Sequence, residues 1–162
     1  MIGGDPCPAE ALAAAETVGR ELAKRGAAVV CGGRGGVMEA ACRGARGEGG
    51  HTIGIMPGRS AEETPPNAYV EFPIYTGLAV ARNAIVALSG EAVIAIAGGY
   101  GTLSEIAIAL IHDIPVIGID TWDFAYHGNE SERIVRTSDP VEAAEMAVSL
   151  ARSRHPTAEG DR

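Results

Sequence analysis

Four short apolar runs, at residues 27–31, 52–56, 92–97 and 115–119, recur along the chain, and each is too short to make a stable helix. Between them lie segments with helical spacing. Residues 9–25 place Leu12, Ala15, Gly19 and Leu22 on one face with charges opposite, and Gly26 follows as a helix terminator. Further helices are expected at 37–48, 78–88 and 102–112, and weaker strands at 70–74 and 133–137. The last helix has a marked start: Asp139 can cap it, Pro140 suits its first position, and Glu142 completes the pair. Strands apolar on both faces need cover on both faces, and helical crossovers between them make the strands parallel. The expected fold is therefore α/β and doubly wound, a mostly parallel sheet of about six or seven strands with helices on both faces. The opening Met1-Ile2-Gly3-Gly4 reads as the end of a first strand; either that strand is a stub, or the natural chain begins upstream.

At 162 residues the chain is expected to form one domain over 1–152, with 153–162 as a frayed tail. Residues 59–68, with Pro65-Pro66, and 120–132 read as loops. The formal charge of −8, with Lys24 as the single lysine, argues against nucleic acid as a partner. Cys7, Cys31 and Cys42 show no C-x-x-C spacing and the four histidines are scattered, which indicates neither a disulfide framework nor a metal site. Reduced thiols, no leader-like start and no membrane-length apolar run lead to the expectation of a cytoplasmic protein without a membrane partner.

Two glycine-rich loops follow strands and open helices: Cys31-Gly32-Gly33-Arg34-Gly35-Gly36-Val37-Met38-Glu39 and Gly98-Gly99-Tyr100-Gly101-Thr102-Leu103-Ser104-Glu105. In doubly wound folds ligands bind at the carboxyl ends of strands, and a helix N-terminus with closely approaching backbone N–H groups suits a phosphate. Close helix–strand turns alone would also call for glycines. Neither loop is a dinucleotide fingerprint or a Walker A, because no acidic residue is suitably placed after the next strand and no G-K-[ST] occurs.

These residues carry a resemblance. G-G-Y-G-T-L-S-E matches the G-G-x-G-T-x-x-E signature of the LOG-like proteins of the SLOG Rossmann superfamily, often labelled "possible lysine decarboxylase". The stretch from Gly32 to Met38 is similar to the family's other glycine loop. Arg82, sixteen residues before Gly98, stands where the family has an arginine. The resemblance implies a Rossmann-like fold and a small phosphorylated ligand held by Gly32, Gly33, Arg34, Gly35, Gly36, Met38, Asn83, Gly98, Gly99, Tyr100, Gly101 and Thr102. The family includes nucleoside 5′-monophosphate phosphoribohydrolases, for which Glu105 and Arg82 would be the catalytic pair. Ala97 replaces the proline, and Arg82-Asn83 the Arg-Lys, of those hydrolases. That form looks more like the molybdenum cofactor carrier branch. No cofactor is then required for chemistry; the bound ligand would be molybdenum cofactor or a nucleotide, with a non-catalytic structural or regulatory module as a further alternative. A pyridoxal-phosphate decarboxylase is excluded by counting, since Lys24 is far in sequence from both loops.

Several residues keep two readings. Arg34 suits a phosphate contact or a solvent-facing turn, and Glu39 a ligand contact or a helix-dipole partner. Asp5 lies at the end of the first strand as a candidate ligand contact. Trp122, Phe124, Tyr126 and His127 could stack on a ring or plug the sheet end. Arg82 sits in the nearly all-apolar segment 78–88, which must be buried in a core or a homodimer interface; an arginine there needs a carboxylate partner, and Glu105 is the candidate.

Overall fold

The computed structural model describes residues 1–126, 129, 130 and 133–154. Its parallel strands fall into two sheets. One contains β1 (Ile2–Gly3), β5 (Val93–Ile96), β6 (Val116–Ile119) and β9 (Ile134–Arg136), in that order; the other contains β2 (Val29–Cys31), β3 (Thr52–Met56) and β4 (Phe72–Tyr75). A two-residue hairpin, β7 (Ala125–Tyr126) with β8 (Asn129–Glu130), interrupts the stretch expected to be loop. The single sheet of six or seven strands expected from sequence is thus divided into smaller sheets of four and three. The division has a local cause: β1 is two residues long, and its link to β2 is one bond from the Met1 nitrogen to the Val30 carbonyl, 2.8 Å.

The helices lie where period-2 burial requires them. Helices α1 (Ala9–Lys24), α2 (Val37–Gly47) and α5 (Pro140–Arg154) pack on one side, where Val18, Ala41 and Ala144 meet Ile94, Ile96, Ile117 and Ile119. Helices α3 (Asn83–Leu88) and α4 (Tyr100–Ile111) pack on the other, where Val86 and Ile106 meet Val93, Ala95 and Val116. Alternate residues of β5 therefore serve opposite cores, which is why the run has no polar face. Asp139 caps α5 as its sequence indicates, with its Oδ1 accepting from the Val141 N–H at 2.8 Å. Helix α5 extends to Arg154, through the first residues of the expected tail; 155–162 lie outside the described residues.

The segment 78–88 departs from expectation. Gly77 and Ala79 both have positive φ, so the chain enters through a 3-10 turn at Ala79–Arg82 before α3 begins. The segment is not buried all round: Leu78, Val80 and Leu88 are exposed, Val80 by 73%, while Arg82, Asn83, Val86 and Ala87 point inward. Among the described residues no helix is long and apolar enough to cross a membrane.

Candidate functional site

From β1 the chain proceeds to β2, β3 and β4 on one side, and β5, β6 and β9 extend the other. A cleft of about 220 Å³ opens at this reversal, beyond the carboxyl ends of the strands. Gly3, Gly4 and Asp5 from the end of β1 form one wall. Arg34 and Met38 contribute from the first glycine loop, Arg82 and Asn83 from the turn into α3, and Gly99, Gly101, Thr102 and Glu105 from the second.

The first loop is shaped mostly by packing. An ideal Cβ on Gly32 would lie 2.6 Å from Arg82 Nη2, so a bare backbone there lets the guanidinium lie against the loop. Gly36 has φ +62°, and its Cβ would meet the Gly4 carbonyl at 2.3 Å; that same carbonyl accepts from the Val37 N–H at 3.1 Å. Gly33 is held against Met56 and Gly35 against Asp5. Of the six positions expected to hold ligand between Gly32 and Met38, Arg34 and Met38 line the cleft; Gly32, Gly33, Gly35 and Gly36 set the loop's path. Beneath it, Cys31 and Cys42 bring their Sγ atoms to 3.5 Å, and the Gly33 N–H donates to Cys31 Sγ at 3.3 Å. Hydrogen bonds from Cys42 and then Gly33 outweigh burial and pull the Cys31 thiol down to about 7.

The second loop is the more open. Gly98, at φ +112°, turns the chain so tightly that a Cβ would lie 2.4 Å from Thr102 Oγ1. Beyond it the backbone is bare: a Cβ on Gly99 would meet nothing within 4 Å, and one on Gly101 only Asn83 Nδ2 at 3.7 Å. Helix α4 starts here with no side chain capping its first turn, leaving the positive end of its dipole beside the cleft. Tyr100 does not join the lining; it is 83% exposed and leans on Trp122, ring centroids 5.8 Å apart. Trp122 in turn donates to the Gly99 carbonyl at 3.2 Å, and Phe124 packs on the core, so these two brace the sheet end. His127 of that sequence cluster lies outside the described residues.

At the back of the cleft Arg82 Nη1 donates to Glu105 Oε1 at 3.1 Å, with both side chains buried. Burial drives the Glu105 carboxyl up to about 7, against the opposing pull of the Arg82 charge. Arg82 Nε is buried with no partner, an orphaned donor beside the cavity. Asn83 is occupied elsewhere: its Nδ2 donates to Ser104 Oγ at 2.9 Å and reaches the Gly101 carbonyl at 3.4 Å, tying α3 to the first turn of α4 without adding charge. Gly3 and Gly4 are the lining residues that sequence reasoning did not single out; their signal was a glycine pair at a strand end, the same signature as the other two loops.

Fold and cleft together define a Rossmann-like α/β protein with an open cleft at the switch point of its parallel strands. The chain belongs to the SLOG cluster4 family, whose model matches residues 1–148. It is similar to the molybdenum cofactor binding protein of Rippkaea orientalis, with 35% identity, TM-score 0.77, and coverage of 89% of this chain and 90% of that one. It is similar too to the molybdenum cofactor carrier protein of Chlamydomonas reinhardtii, with 30% identity, TM-score 0.75, and 92% and 94% covered. A cytokinin riboside 5′-monophosphate phosphoribohydrolase of Mycobacterium tuberculosis is 32% identical over 124 residues, 72% of this chain and 66% of that protein. The chain is thus a LOG-like SLOG protein near the molybdenum cofactor carrier branch.

Proposed function

We propose that a single domain over residues 1–152 binds the phosphate end of a nucleotide or pterin-type ligand, molybdenum cofactor among them, in the cleft between β1 and the two glycine loops. The observation that carries this reading is the uncapped first turn of α4, floored by Gly99 and Gly101, beside an arginine with an orphaned buried Nε. At about 220 Å³ the cleft is smaller than the roughly 300–1,000 Å³ that encloses a drug-sized ligand. It accepts a phosphate and its adjoining ring, with the remainder of the ligand over the rim. For molybdenum cofactor, the α4 turn, Arg34 and Arg82 would hold the phosphate, and the bound group would supply the metal chemistry to a recipient. The relatives named as cofactor-binding and carrier proteins support this reading, as does the neutral, internally bonded Asn83. We place the protein in the cytoplasm as a homodimer, with Val80 and its exposed apolar neighbours at the contact.

A specific observation favours a second reading, hydrolysis of a nucleoside 5′-monophosphate. Glu105 is a buried carboxyl held near 7 and oriented by Arg82, next to where a ribose would sit. Water would add its oxygen to C1′ as the N-glycosidic bond breaks, and the base would leave with a proton. The ionised carboxylate stabilises the oxocarbenium-like centre. Incubation with a panel of nucleoside 5′-monophosphates separates the two. Free base that disappears in Glu105→Ala establishes hydrolysis. Thermal stabilisation without base release establishes binding, and no shift with any phosphorylated compound removes both.

A further inference from the structure

Two thiols that the cleft chemistry leaves unused lie beneath the first glycine loop. Cys31 ends β2 and Cys42 stands on α2, and the fold brings their Sγ atoms to 3.5 Å with neither side chain exposed. Met38 belongs to the same buried cluster and also lines the cleft, so the pair lies directly behind that wall. Among the described residues no third His, Cys, Asp or Glu completes a metal site with them. The sulfurs are unequal. The Cys42 thiol and the Gly33 N–H, at 3.3 Å, both donate to Cys31 and favour its thiolate, while the same Cys31 bond and burial push the Cys42 thiol up. Both cysteines are joined to the loop. Besides the Gly33 contact, the Asn67 side chain bonds Cys42, its Nδ2 donates to the Arg34 carbonyl at 2.9 Å, and its backbone N–H donates to the Gly33 carbonyl at 2.9 Å.

We propose that Cys31 and Cys42 form a redox site, a dithiol that a small hydroperoxide converts reversibly to a disulfide, and that closing this bond loosens the first glycine loop. With hydrogen peroxide, the Cys31 thiolate attacks one oxygen and the O–O bond breaks. Hydroxide leaves and takes up the proton that Cys31 released, and Cys31 becomes a sulfenic acid. Cys42 Sγ then attacks Cys31 Sγ: the S–S bond forms, the S–O bond breaks, and the departing hydroxide leaves as water with the Cys42 proton. The pair has given up two electrons, and the peroxide has become two waters. To reach bonding distance the sulfurs must approach by about 1.5 Å. That movement is taken up at the end of β2, where the loop begins, or on α2, where it ends. Cys31 also loses its negative charge and is left a weaker acceptor for the Gly33 N–H. Arg34 and Met38, the loop residues that line the cleft, lie inside the closed span of residues 31–42. The oxidant must be small because neither sulfur reaches the surface. The inference stands independently of which ligand the cleft binds.

The test treats the folded 162-residue chain with hydrogen peroxide and compares it with untreated chain and with treated chain reduced again by dithiothreitol. Trypsin cuts between Arg34 and Gly35, so a Cys31–Cys42 bond joins the peptides 26–34 and 35–43 at two hydrogens below their summed mass. The proposal expects that linked pair in most chains, with Cys7 outside it. It expects amide hydrogen exchange at Gly33 to be at least tenfold faster in the oxidised chain, and both changes to be reversed by dithiothreitol. Absence of the linked pair at every peroxide concentration that the fold survives overturns it. So does a link that forms only in urea, or only in chains that run as dimers on a non-reducing gel. Unchanged exchange at Gly33 also overturns it, as does a change that persists after dithiothreitol, which would belong to oxidised methionine and not to the disulfide.

Discussion

Glu105 is the residue at which structure and chemistry meet. Its carboxyl sits at about 7 in the folded chain, because burial penalises the charged form more than Arg82 favours it. In the unfolded chain it would titrate near 4.3. Below that value it is protonated in both states and its contribution to stability is complete. As pH rises through 7 the contribution is lost, a difference on the order of 3 kcal/mol. Glu105→Gln, which keeps an acceptor for Arg82, is expected to abolish this dependence. The gap between the two chains' stabilities, followed by urea unfolding from pH 4 to pH 8, should then change steadily against the wild type; parallel profiles would show that the carboxyl titrates normally. The Arg82–Glu105 pairing is itself legible in the sequence, since an arginine in an apolar segment has to find a carboxylate. The individual glycine roles are not. Gly32 and Gly99 read alike in the chain, yet one is pressed against a guanidinium and the other faces open space, and only three-dimensional packing separates them.

The helices and strands follow their sequence signals closely where the pattern is local. β3 occupies 52–56 as expected, and α5 begins at its expected cap. The segment 78–88 does not follow, because apolar composition reports burial potential without reporting which side finds a partner; a positive-φ entry at Gly77 and Ala79 turns half of it outward. Helix α1 offers a sharper case. Its Gly19 crosses α2 so closely that a Cβ would lie 2.0 Å from the Ala41 carbonyl, and Gly44 meets the Glu16 carbonyl at the same distance. Alanine would ordinarily favour a helix over glycine by up to about 1 kcal/mol. Here the contact is backbone against backbone and cannot yield without parting the helices. Gly19→Ala is therefore expected to destabilise by about 1–3 kcal/mol net, a fall of several degrees in Tm. A rise in Tm would mean that the two helices do not cross this closely.

At the scale of the whole molecule, the doubly wound plan is legible because strand–helix alternation leaves few alternatives, whereas the division into two sheets is not. That division depends on β1 being two residues long; a stub is one of the two readings of the opening residues, but which strands then lose their pairing is a matter hydrophobic pattern does not report. The apolar surface left by Phe72, Ile74, Leu78 and Val80 is what a homodimer would cover. Val80→Glu is expected to shift light scattering from dimer to monomer while leaving the protomer folded; scattering that matches the wild type over a wide concentration range would remove this surface from the contact.

The most direct test of the phosphate cleft is calorimetric titration with guanosine 5′-monophosphate and with guanosine, chosen because guanine shares the amino-pyrimidinone edge of a pterin. The titration is run on the wild-type chain and on Gly99→Ala, whose added methyl meets no protein atom within 4 Å and so leaves the fold intact while narrowing the floor of the cleft. The account predicts binding of the monophosphate, at least tenfold weaker binding of the nucleoside, and a comparable loss for the monophosphate in Gly99→Ala at unchanged Tm. Equal affinity for the two compounds, or full affinity in Gly99→Ala, would contradict it.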